Sequence, residues 1–202
     1  MEEKMSLKLN KDSTALIIMD MQNAFVKTEG SLSKMGIPVA RASDPIENIK
    51  KIKKSFKEND MPIIYIQMTL RKDLVDAGVL LKVFPPLKAL GHCEINTWDY
   101  EIIEELTPES GDYIVQKFRF DSFYGTNLET LLRCLNIDTL VFSGIATNVC
   151  VESTVRAALT RDFSNIVVKD ATASFTEEME NAAFINFEFG FAKLVNLEDL
   201  EF

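Results

Sequence analysis

A carboxylate, an amine and a thiol stand at comparable places in this chain, each at or just after the end of a short apolar run. Asp20 closes Thr14-Ala-Leu-Ile-Ile-Met-Asp20, Lys117 follows Tyr113-Ile-Val-Gln116, and Cys150 comes soon after Thr139-Leu-Val-Phe-Ser143. If those runs are strands of one parallel sheet, the three side chains open into the same crevice. A thiol becomes a nucleophile when a base takes its proton, and a nearby ammonium stabilises the anions on either side of that transfer. The sequence holds 1 histidine, His92, so a carboxylate is the natural base and a Ser-His-Asp triad would have to use that residue. Cys150 also falls in the first turn of a predicted helix, where free N–H groups and the dipole lower a thiol pKa. Each residue has a plainer reading alone: a small buried hydrophobe for Cys150, a turn former for Asp20, a solvated charge for Lys117. Their combination carries the chemical reading.

The elements that must position these groups can be read from hydrophobic periodicity. Strands are predicted at 14–20, 62–67, 113–116, 139–143, 165–169 and 191–195. Helices are predicted after Ser43-Asp44-Pro45 (with Ile46, Ile49, Ile52 and Phe56 on one face), over Leu128–Leu135, over 149–161 and over 177–187. Strand–helix alternation with continuously apolar strands implies a three-layer α/β/α fold around a six-stranded parallel sheet, with ligands at the strands' carboxyl ends. One domain is expected over residues 1–202. Two stretches break the rhythm: Lys27–Ser43, expected to loop over the first strand end, and Arg71–Gly111, a connection long enough to be functional or an oligomer contact.

Composition narrows the function. A 47% hydrophobic content over 202 residues supports a sizeable core, and no apolar run is long enough to cross a bilayer. The net charge of -9 disfavours nucleic acid. The one basic cluster, Lys50, Lys51, Lys53 and Lys54, reads as the wet face of an amphipathic helix. Three cysteines without a C-x-x-C pair, and a start (Met1-Glu2-Glu3-Lys4) without an apolar signal core, point to the cytoplasm. Walker, dinucleotide and nucleophile-elbow motifs are absent, and no cofactor or metal is expected.

Three separated segments carry a family resemblance: Ile18-Met19-Asp20-Met21-Gln22-Asn23-Ala24-Phe25, then Lys117 with Ser122-Phe123-Tyr124-Gly125-Thr126-Asn127-Leu128, then Gly144-Ile145-Ala146-Thr147-Asn148-Val149-Cys150-Val151-Glu152-Ser153-Thr154. The chain resembles the isochorismatase-like cysteine hydrolases along its whole length, particularly members acting on ureido, biuret and carbamoyl compounds. The resemblance implies an Asp20–Lys117–Cys150 triad that cleaves a C–N bond of a small amide or ureido compound through a thioester-type intermediate. It further implies an oxyanion hole from the N–H groups of Ala146 and Cys150, a cis Ile145–Ala146 peptide, and a homodimer or homotetramer. Two relatives fit less well. Nicotinamidases of the family hold a metal through Asp and His after the second strand, and 67–76 has no histidine; isochorismatases lack the cysteine.

Substrate contacts are expected from Asn23 and Gln67, polar at strand exits, and from Phe25, Trp98 and Phe123 as aromatic walls, although such aromatics also serve as core. Arg119 or Arg71 suits a substrate carboxylate, with a solvated or interface ion pair as the other role. His92 is expected at the surface or internally satisfied; Cys93 and Cys134 read as structural. Two other function classes remain beside the amidohydrolase: a non-catalytic binding or assembly protein, and a redox-active thiol protein using Cys150.

Overall fold

The computed structural model describes residues 6–202; the Met1–Lys4 segment lies outside the described residues. Six strands form the central sheet: β1 (Thr14–Met19), β2 (Ile63–Met68), β3 (Tyr113–Lys117), β4 (Thr139–Ile145), β5 (Ser164–Ala173) and β6 (Lys193–Val195). They lie in the order β3-β2-β1-β4-β5-β6, and every pair is parallel. Two further strands of two residues, Leu7–Lys8 and Leu200–Glu201, pair with each other near the chain ends.

All six residues of β1 and all six of β2 are buried, which is why these runs are apolar throughout and not alternating. Leu16 and Ile18 face Ile49, Ile52 and Phe56 of α1 (Ile46–Glu58). Ala15, Ile17 and Met19 face the opposite layer, where α2 (Leu128–Cys134) brings Leu128 and Leu132 and α3 (Glu152–Leu159) brings Val155 and Ala158. Ala183 places α4 (Glu177–Asn186) in that same layer. The three-layer expectation holds. One lysine behaves differently from its neighbours in the basic cluster: Lys53 turns inward, donating to the Thr107 carbonyl at 2.8 Å and pairing with Glu109 at 2.8 Å.

Chain order reverses between β1 and β4, so their carboxyl ends part and leave a crevice between them. The close approach of these strands needs Gly144. Its φ is 98°, and a Cβ there would collide with the backbone oxygen of Met19. Both irregular stretches converge over this crevice. Residues 27–43 carry the one-turn helix Ser31–Lys34, and 71–111 carries Leu80–Val83 and Leu87–Leu90. Leu32 and Met35 from the first, and Leu80, Phe84 and Leu87 from the second, wall the same cavity.

Candidate active site

The chain turns sharply as β1 ends. Asp20 adopts a left-handed φ of 48°, its N–H bonds the Ile66 carbonyl of β2, and Gln22 N–H bonds back to the Asp20 carbonyl at 2.7 Å. The Gln22 side chain then ties the two strand ends together. Its Oε1 accepts from Met68 N at 2.7 Å, and its Nε2 donates to the Met68 carbonyl at 2.9 Å. Lys117 ends β3, two strands from β1, a gap of roughly 10 Å that the lysine and aspartate side chains span between them. Its Nζ lies 2.7 Å from Asp20 Oδ2, with the lysine side chain 0% and the aspartate 1% exposed.

Lys117 is itself held. Its Nζ donates to the Phe120 carbonyl at 3.0 Å. The segment after Phe120 is pinned by Thr154 of α3, whose Oγ1 accepts from Ser122 N at 3.1 Å and contacts Ser122 Oγ at 3.0 Å. Asp20 is left much freer. Apart from Lys117, its buried oxygens have no N–H or O–H donor among the described residues.

Cys150 lies against both partners of this ion pair. The helix expected over 149–161 starts differently, with one wide π-type turn over Thr147–Val151 before α3 proper. The Ala146 carbonyl accepts from Val149 N at 3.0 Å and from Val151 N at 3.2 Å, and the Ile145–Ala146 peptide is cis. Such turns are frequent at functional sites because they re-aim a side chain.

The electrostatics correct one expectation. A helix start beside Lys117 should depress the Cys150 thiol, but burial and the Asp20 charge outweigh Lys117 and push it up. Resting Cys150 is therefore a protonated thiol. Burial lowers the Lys117 pKa, yet Asp20 and Cys150 more than compensate, so the amine stays charged.

Asp20, Ala146 and Cys150 open into a cavity of about 370 Å³. Among the expected substrate contacts, Phe25 lines it; the structure directs the others elsewhere. Asn23 and Gln67 hold the 98–101 segment, donating to the Trp98 carbonyl at 2.8 Å and the Tyr100 carbonyl at 3.0 Å. With Trp98 they edge a separate surface depression. Arg119 donates to the carbonyls of Asp76 (2.8 Å) and Phe118. Phe123 is buried and stacks on Phe163 at 5.8 Å, while Phe120 takes the place in the wall. Arg71 is surface-exposed and paired with Asp73.

His92 reaches the cavity unforeseen. It is buried, and its ring belongs to a hydrogen-bonded knot with Ser31 and Asp99. Asp99 Oδ1 accepts from Ser31 N at 2.8 Å, and Oδ2 accepts from Ser31 Oγ at 2.7 Å and Cys93 N at 2.8 Å. With the Ser31 hydroxyl proton on Asp99, His92 donates from Nδ1 to Ser31 Oγ, leaving Nε2 facing Cys93 Sγ at 3.5 Å. Burial lowers the His92 pKa to about 4, so the ring is neutral at pH 7. One ligand atom from each of His92, Cys93 and Asp99 lies within 4.8 Å of the others. The three side chains are tied into this network, in which both Asp99 oxygens accept hydrogen bonds from protein donors.

A doubly wound parallel sheet with a buried Asp–Lys pair and a cysteine at its switch point defines a class of α/β hydrolase. Residues 14–199 match the isochorismatase domain, and the chain belongs to the isochorismatase-like cysteine hydrolase family. It is 34% identical over 206 aligned residues to the ureidoacrylate amidohydrolase RutB of Rhizobium rhizogenes, covering 94% of this chain and 83% of that one. The crystal structure of a cysteine hydrolase from Pseudomonas syringae pv. phaseolicola superposes with a TM-score of 0.88 at 26% identity, covering 98% of this chain and 96% of the other. N-carbamoylsarcosine amidase from Thermoplasma acidophilum superposes with a TM-score of 0.75 at 28% identity, over 94% and 99%.

Proposed function

We propose that this protein is a cysteine-dependent amidohydrolase that cleaves a non-peptide C–N bond of a small amide, ureido or carbamoyl compound. The observation that carries the reading is the fully buried Asp20–Lys117 pair, 2.7 Å apart, against a thiol at the floor of a cavity. A buried ion pair is poor evidence of stabilisation, because desolvating both charges costs about what their attraction returns. Groups kept in such a place suit chemistry.

As substrate arrives, the Cys150 proton passes to Asp20 while sulfur bonds the carbonyl carbon. The carbonyl electrons move to oxygen, which meets the N–H groups of Ala146 and Cys150; one such donor is typically worth roughly 10² to 10³ in rate. When the tetrahedral centre collapses, the C–N bond breaks and protonated Asp20 gives its proton to the departing nitrogen. A thioester remains from an amide, or a thiocarbamate from a ureide. Asp20, again anionic, removes a proton from water, hydroxide attacks the carbon, and the proton returns to sulfur as the acid leaves. Lys117 holds the carboxylate in place and balances its charge through every step.

Homologous ureidoacrylate and carbamoylsarcosine hydrolases support the ureido and carbamoyl part of the reading. A homodimer or homotetramer would cover the exposed Val75, Val79 and Val83 beside the cavity wall, and three free cysteines suit a reducing compartment such as the cytoplasm. Ammonia release from a panel of primary amides and ureides tests the activity. Release that disappears in Cys150→Ala is expected; release undiminished in that variant would refute the reading.

A further inference from the structure

The cavity over Cys150 is walled by Phe25, Met35, Phe84, Phe120, Phe175 and Met179, drawn from four separate stretches of chain. Among the described residues, no lysine or arginine lines it. The nearby guanidinium groups are committed elsewhere: Arg119 to two backbone carbonyls, Arg71 to Asp73, and Arg41 to Glu180 at 2.6 Å. Lys117 is already matched by Asp20. Of the titratable side chains in the wall, Asp20 is a carboxylate paired with Lys117, Cys150 a thiol and His92 a neutral ring. The remaining polar side chains there, Asn148 and Thr176, are neutral; Asn148 Oδ1 accepts from Ser174, and Thr176 Oγ1 caps α4.

We propose that this cavity selects a neutral amide or ureide whose part remote from the scissile carbonyl is apolar, and rejects substrates bearing a carboxylate. The proposal rests on the amidohydrolase reading and narrows its substrate class. A carboxylate seated here would lose its water, find no cation and face the Asp20 charge. An alkyl or aryl group would instead replace water against phenylalanine and methionine. The names ureidoacrylate and carbamoylsarcosine denote carboxylic acids, so on this point the chain departs from the relatives it resembles.

A shape-matched pair tests the charge. 4-Methylpentanamide and succinamate share the scissile amide and differ mainly in an isopropyl against a carboxylate. The wild-type protein is expected to favour the neutral amide in kcat/KM by at least about 100-fold, the scale of an unpaired buried charge. From acetamide to hexanamide, kcat/KM is expected to rise by about fourfold per methylene until the cavity fills. Equal or preferential use of succinamate would overturn the proposal. Calorimetric binding of the same pair to Cys150→Ala keeps the two readings apart. Tighter binding of 4-methylpentanamide without turnover by the wild type supports the cavity's selectivity while removing the amidohydrolase reading; tighter binding of succinamate overturns the selectivity whatever the turnover. Met179, 46% exposed on α4, allows a gain of function. Met179→Arg places a cation in the wall and is expected to improve succinamate turnover about tenfold, narrowing the preference; an unchanged ratio would show that the remote group lies elsewhere and overturn the assignment.

Discussion

In the knot formed by Ser31, His92 and Asp99, both carboxylate oxygens accept from fixed donors at 2.7 to 2.8 Å. The Asp20 carboxylate, more deeply buried than Asp99, meets only Lys117 and the Cys150 thiol among the described residues. The two clusters border the same cavity and contain similar groups, including a cysteine each. They differ in whether the carboxylate has spare capacity. A saturated carboxylate fixes loops, because removing any donor strands a buried acceptor. An unsaturated one can accept and release a proton, and its incomplete hydrogen bonding is what chemistry there requires. Cys93 and Cys150 follow suit: both thiols are raised by burial, but Cys150 faces the Asp20 carboxylate, whereas Cys93 faces a His92 ring whose pKa burial lowers to about 4.

The largest effects should come from the unsaturated cluster. Cys150→Ala, Asp20→Asn and Lys117→Ala are each expected to lower kcat by about 10⁴-fold or more, and the double variant Cys150→Ala/Asp20→Asn to lose no more than the worse single one, because both disable one step. Steady-state kinetics would show this; additive losses would mean the residues act separately. In the saturated cluster the response should move from rate to stability. Asp99→Asn, which weakens three charge-assisted hydrogen bonds, is expected to cost about 3 kcal/mol in urea unfolding while changing kcat less than tenfold.

The third expectation concerns acid. His92 is held neutral with a pKa of about 4, against 6.5 when unfolded, so between those values the unfolded chain binds the extra proton. Its contribution is therefore complete above pH 6.5 and declines as pH falls towards 4, by up to about 3 kcal/mol. The stability of His92→Asn is expected to fall less steeply over that window; parallel curves would show that His92 does not set the slope. The smallest expected effect is none at all. Exhaustive chelation should leave turnover unchanged, and a loss restored by zinc would show that His92, Cys93 and Asp99 hold an ion.

The sheet and the meeting of Asp20, Lys117 and Cys150 at its edge were legible because each depends on local pattern. Runs such as 14–19 and 63–68 are apolar at every position because both faces are covered, and a parallel sheet delivers the residues after such runs to one edge. The substrate wall was less legible because it depends on how the long connections fold. Asn23 and Gln67 stand at strand exits as expected, but carbonyls of the 98–101 segment take their amides. Phe123 and Phe120 are three residues apart, and the turn pinned by Thr154 decides which one faces the cavity. His92 gave no signal beyond its place in the long 71–111 connection; its hydrogen-bond partner Ser31 is 61 residues away in sequence. The state of the thiol was misjudged for a different reason. Helix position and Lys117 are visible in sequence order, whereas the depth of burial that outweighs them is not.

The division of labour between Asp20 and Cys150 is tested most directly by rapid-quench single turnover, with the intact protein weighed on the millisecond-to-second scale. Using an amide that the wild type hydrolyses, an acyl mass is expected on the peptide containing Cys150, formed before product and lost as product appears. In Asp20→Asn the same adduct should form slower by about 10³-fold or more, since the protonated thiol has lost its base. Acylation of Asp20→Asn at a near wild-type rate, or turnover with no adduct on Cys150, would contradict this division of labour.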